Sequence, residues 1–381
     1  MPALSSAPLP LRFFLFDNIS SHSYNMGPVR LLSWLMKPLA ASPAAEIRTL
    51  PPCLEPGGRP ARVAVVIPAF RVARHIEDVI RGIPELVSDI LIVDDASPDE
   101  TAQIVTSLAD PRVHLLRHER NGGVGAAMIT GYKRALELGA DIVVKIDGDD
   151  QMDPRYLLPL IEPILAGEAD YTKGSRFFYT RQLRQMPLLR RIGNLGLSFL
   201  TKASSGYWDV FDPTNGYTAV HRSVLEVLDW SSLDPRWFFE TSLLIELNLA
   251  RAVVRDVQIP AKYGGERSSL SEASALFRFP RKLLAAFFRR LWLQYFVREF
   301  SPVSLFLVSG LFLSTFGTLW GGAYWVRSAR TGHEASTGTV MIAVVPLILG
   351  VQLLLQAVSL DIQNTPKMPL SRSSPRRTAG G

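Results

Sequence analysis

From Arg62 onward the chain alternates short, unbroken apolar runs with longer stretches of mixed polarity. Val63-Ala64-Val65-Val66-Ile67-Pro68 is apolar throughout, as in a strand buried on both faces of a parallel sheet. Ile90-Leu91-Ile92-Val93 makes a second strand, Val113-His114-Leu115-Leu116 a third, and Asp141 to Ile146 a fourth. Between them, residues 74–83, 100–108 and 124–138 read as helices, the second capped by Ser97 or Asp99. Strands alternating with helices predict an α/β domain with a mostly parallel sheet. Further along the spacing predicts a helix over 155–166 and a short strand from Tyr171 with a basic end at Arg176. An arginine-rich helix or loop over 181–205 follows, then a turn at 212–217 leading into a strand, a helix opened by Phe238-Phe239-Glu240, and a strand over 253–259. The domain closes near Tyr263 to Leu270, so its expected extent is 61–272.

The pattern then changes. Over 275–300, Phe277, Leu284, Phe288, Leu291, Trp292 and Tyr295 recur at helical spacing, interleaved with Arg281, Lys282, Arg289, Arg290 and Arg298. A basic amphipathic helix rich in aromatics suits a membrane interface. Pro302 to Val326 and Val340 to Leu360 carry no charge, and each is long enough to cross a bilayer. We expect transmembrane helices over 302–326 and 339–361 and a cytoplasmic tail over 362–381. Positive charge before the first span and after the second places both ends in the cytoplasm. Gly310, Gly317, Gly321 and Gly322 would let the two helices pack closely. Residues 1–60, with a Pro-rich piece from Pro51, read as a poorly ordered extension.

Net charge is +6, and the basic residues flank the apolar C-terminal segments, which favours a membrane surface over nucleic acid. Cys53 is the single cysteine, so no intramolecular disulfide forms.

Candidate chemistry lies at the strand ends, because ligands of open parallel sheets bind beyond the carboxyl ends of the strands. Val143-Val144-Lys145-Ile146 runs out into Asp147-Gly148-Asp149-Asp150-Gln151. Carboxylates this close call for a counter-charge, and hard oxygen ligands suit Mg²⁺ or Mn²⁺. Taken alone, the same residues also fit a polar turn. Asp94-Asp95 closes a neighbouring strand, and Asn121-Gly122-Gly123-Val124-Gly125 opens a helix with room for close backbone approach.

In order and spacing, Val66-Ile67-Pro68-Ala69-Phe70, Val93-Asp94-Asp95-Ala96-Ser97-Pro98-Asp99, Asn121 to Gly125, Asp147-Gly148-Asp149 and Gly174-Ser175-Arg176 resemble the inverting family 2 glycosyltransferases of GT-A fold. With the amphipathic helix and two C-terminal spans, the chain looks like their polyprenyl-phosphate, dolichol-phosphate mannosyltransferase-like branch. The resemblance implies a nucleotide sugar donor, a polyprenyl phosphate acceptor, a divalent cation, and residence in the plasma (inner) membrane with the catalytic domain cytoplasmic. It implies that Pro68, Phe70, Val93, Asp95, Gly123, Asp147 and Gly148 bind the donor. Asp147, Asp149 and Gln151 would hold the metal, and Arg176 a phosphate. Tyr263 to Leu270 would lie over the donor. Where the family commonly carries Asn-Glu after the aromatic of its first motif, this chain has Arg71-Val72.

Glu240 follows two aromatics on the expected acceptor side. A phosphate acceptor is already ionised and scarcely needs a base. Glu240 would then orient the acceptor, or simply favour a helix start. Two rivals are weaker. A processive synthase would show Gln-x-x-Arg-Trp, whereas Leu233 precedes Arg236-Trp237. A catalytically silent scaffold would not need Asp147 and Asp149. Homo-oligomerisation is left open.

Overall fold

The computed structural model describes residues 60–175, 188–212, 215–260 and 272–373. The N-terminal extension to residue 59, Arg176, and the Tyr263 to Leu270 segment lie outside them.

The first half is a regular alternation: β1 (Val63–Ala69), α1 (Ile76–Gly82), β2 (Val87–Asp94), α2 (Thr101–Ser107), β3 (Val113–Arg117), α3 (Val124–Glu137) and β4 (Ile142–Lys145). Then follow α4 (Leu157–Leu165), β5 (Tyr171–Ser175), α5 (Leu188–Ser205), β6 (Thr218–His221), the single turn α6 (Arg222–Leu225), α7 (Phe239–Leu249) and β7 (Val254–Gln258). The seven strands form one sheet in the order β3-β2-β1-β4-β6-β5-β7. Only β6 runs against its neighbours β4 and β5; the other pairings are parallel.

Period-two alternation along the strands sends side chains to two cores. On one face Ala64, Val66, Leu91 and Val93 pack with Ala127, Met128 and Phe239 from α3 and α7. On the other, Val63, Val65, Ile67, Ile90 and Ile92 pack with Ile76 and Ile80 of α1 and Leu157 and Ile161 of α4. With both faces covered, unbroken apolar runs are what the central strands need. The sheet reverses its winding between β1 and β4, since β2 lies on one side of β1 and β4 on the other. That switch point opens a crevice at the carboxyl ends of the strands.

After β7 come α8 (Glu272–Trp292), a π-helical turn (Leu293–Arg298), α9 (Pro302–Thr331), α10 (Thr337–Gln363) and the short α11 (Leu370–Ser373). The two uncharged stretches fall within α9 and α10, both long and apolar enough to cross a membrane. Their large apolar side chains face outward, including Leu311, Phe312, Leu319, Ile348 and Leu355, and Leu284, Phe288 and Trp292 continue this surface on α8. In water such a surface would not be left uncovered. Gly310 and Gly317 lie against the α10 backbone, where a Cβ would come within 3.0 Å of Gly350 O and 2.6 Å of Ala343 O respectively, whereas Gly322 has nothing within 4 Å.

The segment after α10 is tied back to the sheet. Asp170, fully buried before β5, accepts from the Val253 N–H at 2.8 Å and from the Leu370 and Ser371 N–H groups of α11 at 2.9 and 3.1 Å. Leu370 packs against the core shared with α3 and α7.

Candidate active site

The loops leaving β1, β2 and β4 hold three of the four described non-glycine residues with positive φ: Arg71 at 60°, Ala96 at 57° and Asp150 at 60°. Such backbone costs energy and persists where the surroundings enforce it. Here they do. Ser97 Oγ, Thr101 Oγ1 and Asp99 Oδ2 accept from the N–H groups of Arg71, Val72 and Ala73. Burial works to raise the Asp99 carboxyl, but the Thr101 hydroxyl and the Ala73 N–H outweigh it and hold it below the usual range.

Asp95 fastens the next loop. Its two oxygens accept from the Gly122 N–H at 2.8 Å and the Gly123 N–H at 2.7 Å, and Oδ1 lies 2.7 Å from His118 Nδ1. The glycines of this loop meet protein backbone. A Cβ on Gly123, whose φ is +98°, would sit 2.6 Å from Pro235 O, and one on Gly125 would sit 2.2 Å from Asp234 O. Their N–H groups and their lack of side chains therefore serve the Asp95 clamp and the packing of 234–236.

Beyond β4 the carboxylates differ in environment. Lys145 Nζ, on a side chain 2% exposed, lies 2.7 Å from Asp147 Oδ1 and 3.3 Å from Glu240 Oε1 in the first turn of α7. Burial works to lower its pKa, yet Asp147 and Glu240 more than offset this and hold the ammonium above the usual lysine range. Asp149 has no such partner among the described residues; its Oδ1 accepts one bond, from the Gln151 N–H at 3.1 Å. Burial raises its carboxyl above the usual range and the neighbouring Asp147 adds to this, against that backbone donor. Gln151 is exposed beside them, Gly148 is buried, and Pro68 and Phe70 lie at the rim, Phe70 42% exposed with the Arg71 guanidinium 5.2 Å from its ring centroid. Among the described residues no three His, Cys, Asp or Glu side chains are grouped to hold a metal.

The structure thus brings Asp147, Asp149 and Glu240 to one edge, with Pro68, Phe70 and Gly148. Val93 lies deeper. It is fully buried and belongs to the core with Ala127 and Met128, because β2 is covered on both faces; its side chain lines no open pocket.

Two lysines were missed. Lys145 is the joint of the site. Lys173 on β5, also fully buried, donates to Asn215 O, and burial pushes it down to about 8. The available signal was a lysine inside each short strand, since a buried ammonium demands partners.

The edge faces the apolar helices through α7 and α8. Lys282 Nζ pairs with Asp234 at 2.6 Å, Arg289 with Glu246 at 2.7 Å, and the Phe238 and Phe279 rings meet edge-on at 5.9 Å.

The family model described as glycosyl transferase family 2 matches residues 64–229. A UDP-N-acetylglucosamine–dolichyl-phosphate N-acetylglucosaminyltransferase of Methanococcus voltae is 38% identical over 181 residues, which cover 44% of this chain and 72% of that one. The polyprenol monophosphomannose synthase of Mycolicibacterium smegmatis is 31% identical over 182 residues, covering 46% and 68%. An undecaprenyl-phosphate mannosyltransferase of Micrococcus luteus is 29% identical over 207 residues, covering 53% and 83%.

Proposed function

Because the chain belongs to glycosyl transferase family 2, we propose that it moves a sugar from a nucleotide diphosphate donor to a polyprenyl phosphate, with inversion, at the cytoplasmic face of the plasma membrane. The observation that carries this is the Lys145 joint. It ties Asp147, at the donor-side strand end, to Glu240 in the first turn of α7, and α7 is bonded in turn to α8, which leads into the apolar hairpin. The transfer edge and the surface from which a lipid would arrive are one assembly. The relatives named above act on dolichyl, polyprenol or undecaprenyl phosphate by their names, which supports the same acceptor class here.

In this reading the nucleoside lies at the β1 and β2 ends, against Pro68 and Phe70 and the loop clamped by Asp95. Asp147 and Asp149 are a donor set suited to a hard divalent cation, Mg²⁺ or Mn²⁺. Asp149 fits that task because its carboxyl is the uncompensated one, and Gln151 is within the same turn. When bound, the cation supplies neutralising charge for the departing diphosphate. Arg176, next in sequence to the last residue of β5, binds a phosphate of donor or acceptor. Glu240 orients the acceptor; the lipid phosphate needs no deprotonation. An apolar cavity of about 230 Å³, lined by Phe199, Leu200, Phe287, Leu291, Leu307 and Val358 where α5, α8, α9 and α10 meet, offers the prenyl chain a dry wall.

The test is direct. Full-length protein in nanodiscs is given Mn²⁺ or Mg²⁺, a panel of UDP- and GDP-sugars, and undecaprenyl phosphate. A labelled glycolipid is expected with one donor and not with Asp149→Ala. Equal transfer by Asp149→Ala would remove the cation assignment, and no product with any donor would remove the activity.

A further inference from the structure

Lys145 is an odd occupant of its position. It stands in register between Val66 of β1 and Thr218 of β6, on the innermost parallel strand. A fully buried ammonium is costly unless paired. It is paired twice, by carboxylates ninety-three positions apart in the chain (240 − 147 = 93). Gly216 keeps the joint open: a Cβ there would lie 2.5 Å from Lys145 Nζ and 2.9 Å from Asp147 Oδ2. The ammonium engages Asp147 Oδ1 and stops short of Asp149.

We infer that Lys145 is a positioning residue with a second effect: a resident cation that shares Asp147 with the divalent cation, and so sets how tightly the site holds that cation. The inference rests on the reading of Asp147 as a cation ligand in a sugar transferase. Lys145 fixes Asp147 and Glu240 in one arrangement, which serves transfer. Its positive charge also opposes a second cation on the same carboxylate, since like charges a few ångströms apart repel even at intermediate dielectric. A site built this way holds the metal diphosphate less tightly after transfer than two free aspartates would.

The consequence is a pair of effects of opposite sign. In Lys145→Met, similar in length and uncharged, Mn²⁺ binds about tenfold more tightly in the absence of nucleotide, and glycolipid formation falls. In Glu240→Gln the ammonium is left to Asp147 alone, and Mn²⁺ binds more weakly. A merely structural lysine would do neither; its loss would weaken metal binding and transfer together. Mn²⁺ affinity is read by electron paramagnetic resonance titration of full-length protein in nanodiscs, beside the transfer assay. If Lys145→Met folds poorly, Lys145→Met/Glu240→Gln removes one charge of each sign and is expected to keep the tighter Mn²⁺ binding, while Glu240→Gln gives the opposite sign with the lysine intact. Unchanged or weaker Mn²⁺ binding in the lysine variants, or unchanged binding in Glu240→Gln, overturns the inference alone. A parent protein that binds no Mn²⁺ overturns the cation reading and this inference with it. A parent that binds Mn²⁺ but transfers nothing overturns the activity only.

Discussion

The Asp361→Ala substitution tests how the apolar hairpin is joined to α8 and the segment after α5. Arg290 of α8 is fully buried and grips Asp361 of α10 with both arms, Nη1 to Oδ1 at 2.8 Å and Nη2 to Oδ2 at 2.9 Å. The Tyr295 hydroxyl donates to Oδ1 at 2.6 Å and Trp208 Nε1 to Oδ2 at 3.3 Å. One carboxylate therefore answers four donors from α8, the π-helical turn and the segment after α5. Among the described residues, removing it leaves the guanidinium with Ala203 O and the Gln294 side chain. Breaking a buried pair from one side costs about 3–5 kcal/mol, because the remaining charge is stranded. At about 1–2 °C per kcal/mol for a chain of this length, the melting temperature falls by roughly 3–10 °C. Thermal unfolding in nanodiscs, followed by tryptophan fluorescence, reads the shift. The companion variant Arg290→Met/Asp361→Leu, with both charges gone and the volume filled, is expected to regain most of the loss. A shift below about 2 °C for Asp361→Ala, or a double variant no better than the single one, would refute the reasoning.

Three further outcomes are expected. Gly123→Ala combines a φ of +98° with a Cβ 2.6 Å from Pro235 O and should cost several kcal/mol, whereas Gly139→Ala, at φ +81° with nothing within 4 Å, should cost about 1 kcal/mol; chemical denaturation of the two compares them. Lys173 has a folded value of about 8 against 10.5 unfolded, so between those pH values the unfolded chain binds the extra proton and parent stability rises with pH. Lys173→Met lacks that rise, so its stability relative to the parent should be more favourable at pH 7 than at pH 10. Asp170→Ala strips one buried backbone donor and two at the start of α11, should cost about 2 kcal/mol or more, and should expose the segment after α10 to protease.

The strands and helices of the sheet were legible because each carries its own local pattern. The run from Val63 to Pro68 is β1 less its last residue, and Val124 to Leu138 is α3 with one residue to spare. Asp147 and Asp149 stand out in the sequence because they directly follow a short apolar strand. What could not be read is what long-range packing decides. Asn121 to Gly125 reads in sequence as a helix opening with room for close backbone approach; which backbone approaches, that of Asp234 and Pro235, is set by packing from more than a hundred residues away, and the bonding of its N–H groups to Asp95 is set by packing as well. Val93 entered through the family resemblance, and no local pattern announces that its side chain is fully buried in a strand covered on both faces. Lys145 and Glu240 lie far apart in sequence, as do Arg290 and Asp361, and no periodicity couples them. Nor does any local pattern announce that β6 enters between β4 and β5 in the opposite direction.

The bond between Asp170 and the start of α11 has a mechanical consequence. It closes a ring: sheet, α8, α9, α10, α11 and sheet again, with both ends of the hairpin made fast to one body. At a rise of about 1.5 Å per residue, the 30 residues of α9 span about 45 Å and the 27 of α10 about 40 Å. A hydrocarbon layer is about 30 Å thick, so helices of this length lean in it, and they lean more as it thins. With one end tethered, a leaning hairpin would swivel on its joint and leave the sheet undisturbed. Held at both ends it cannot, and a change in bilayer thickness becomes a torque on the sheet itself.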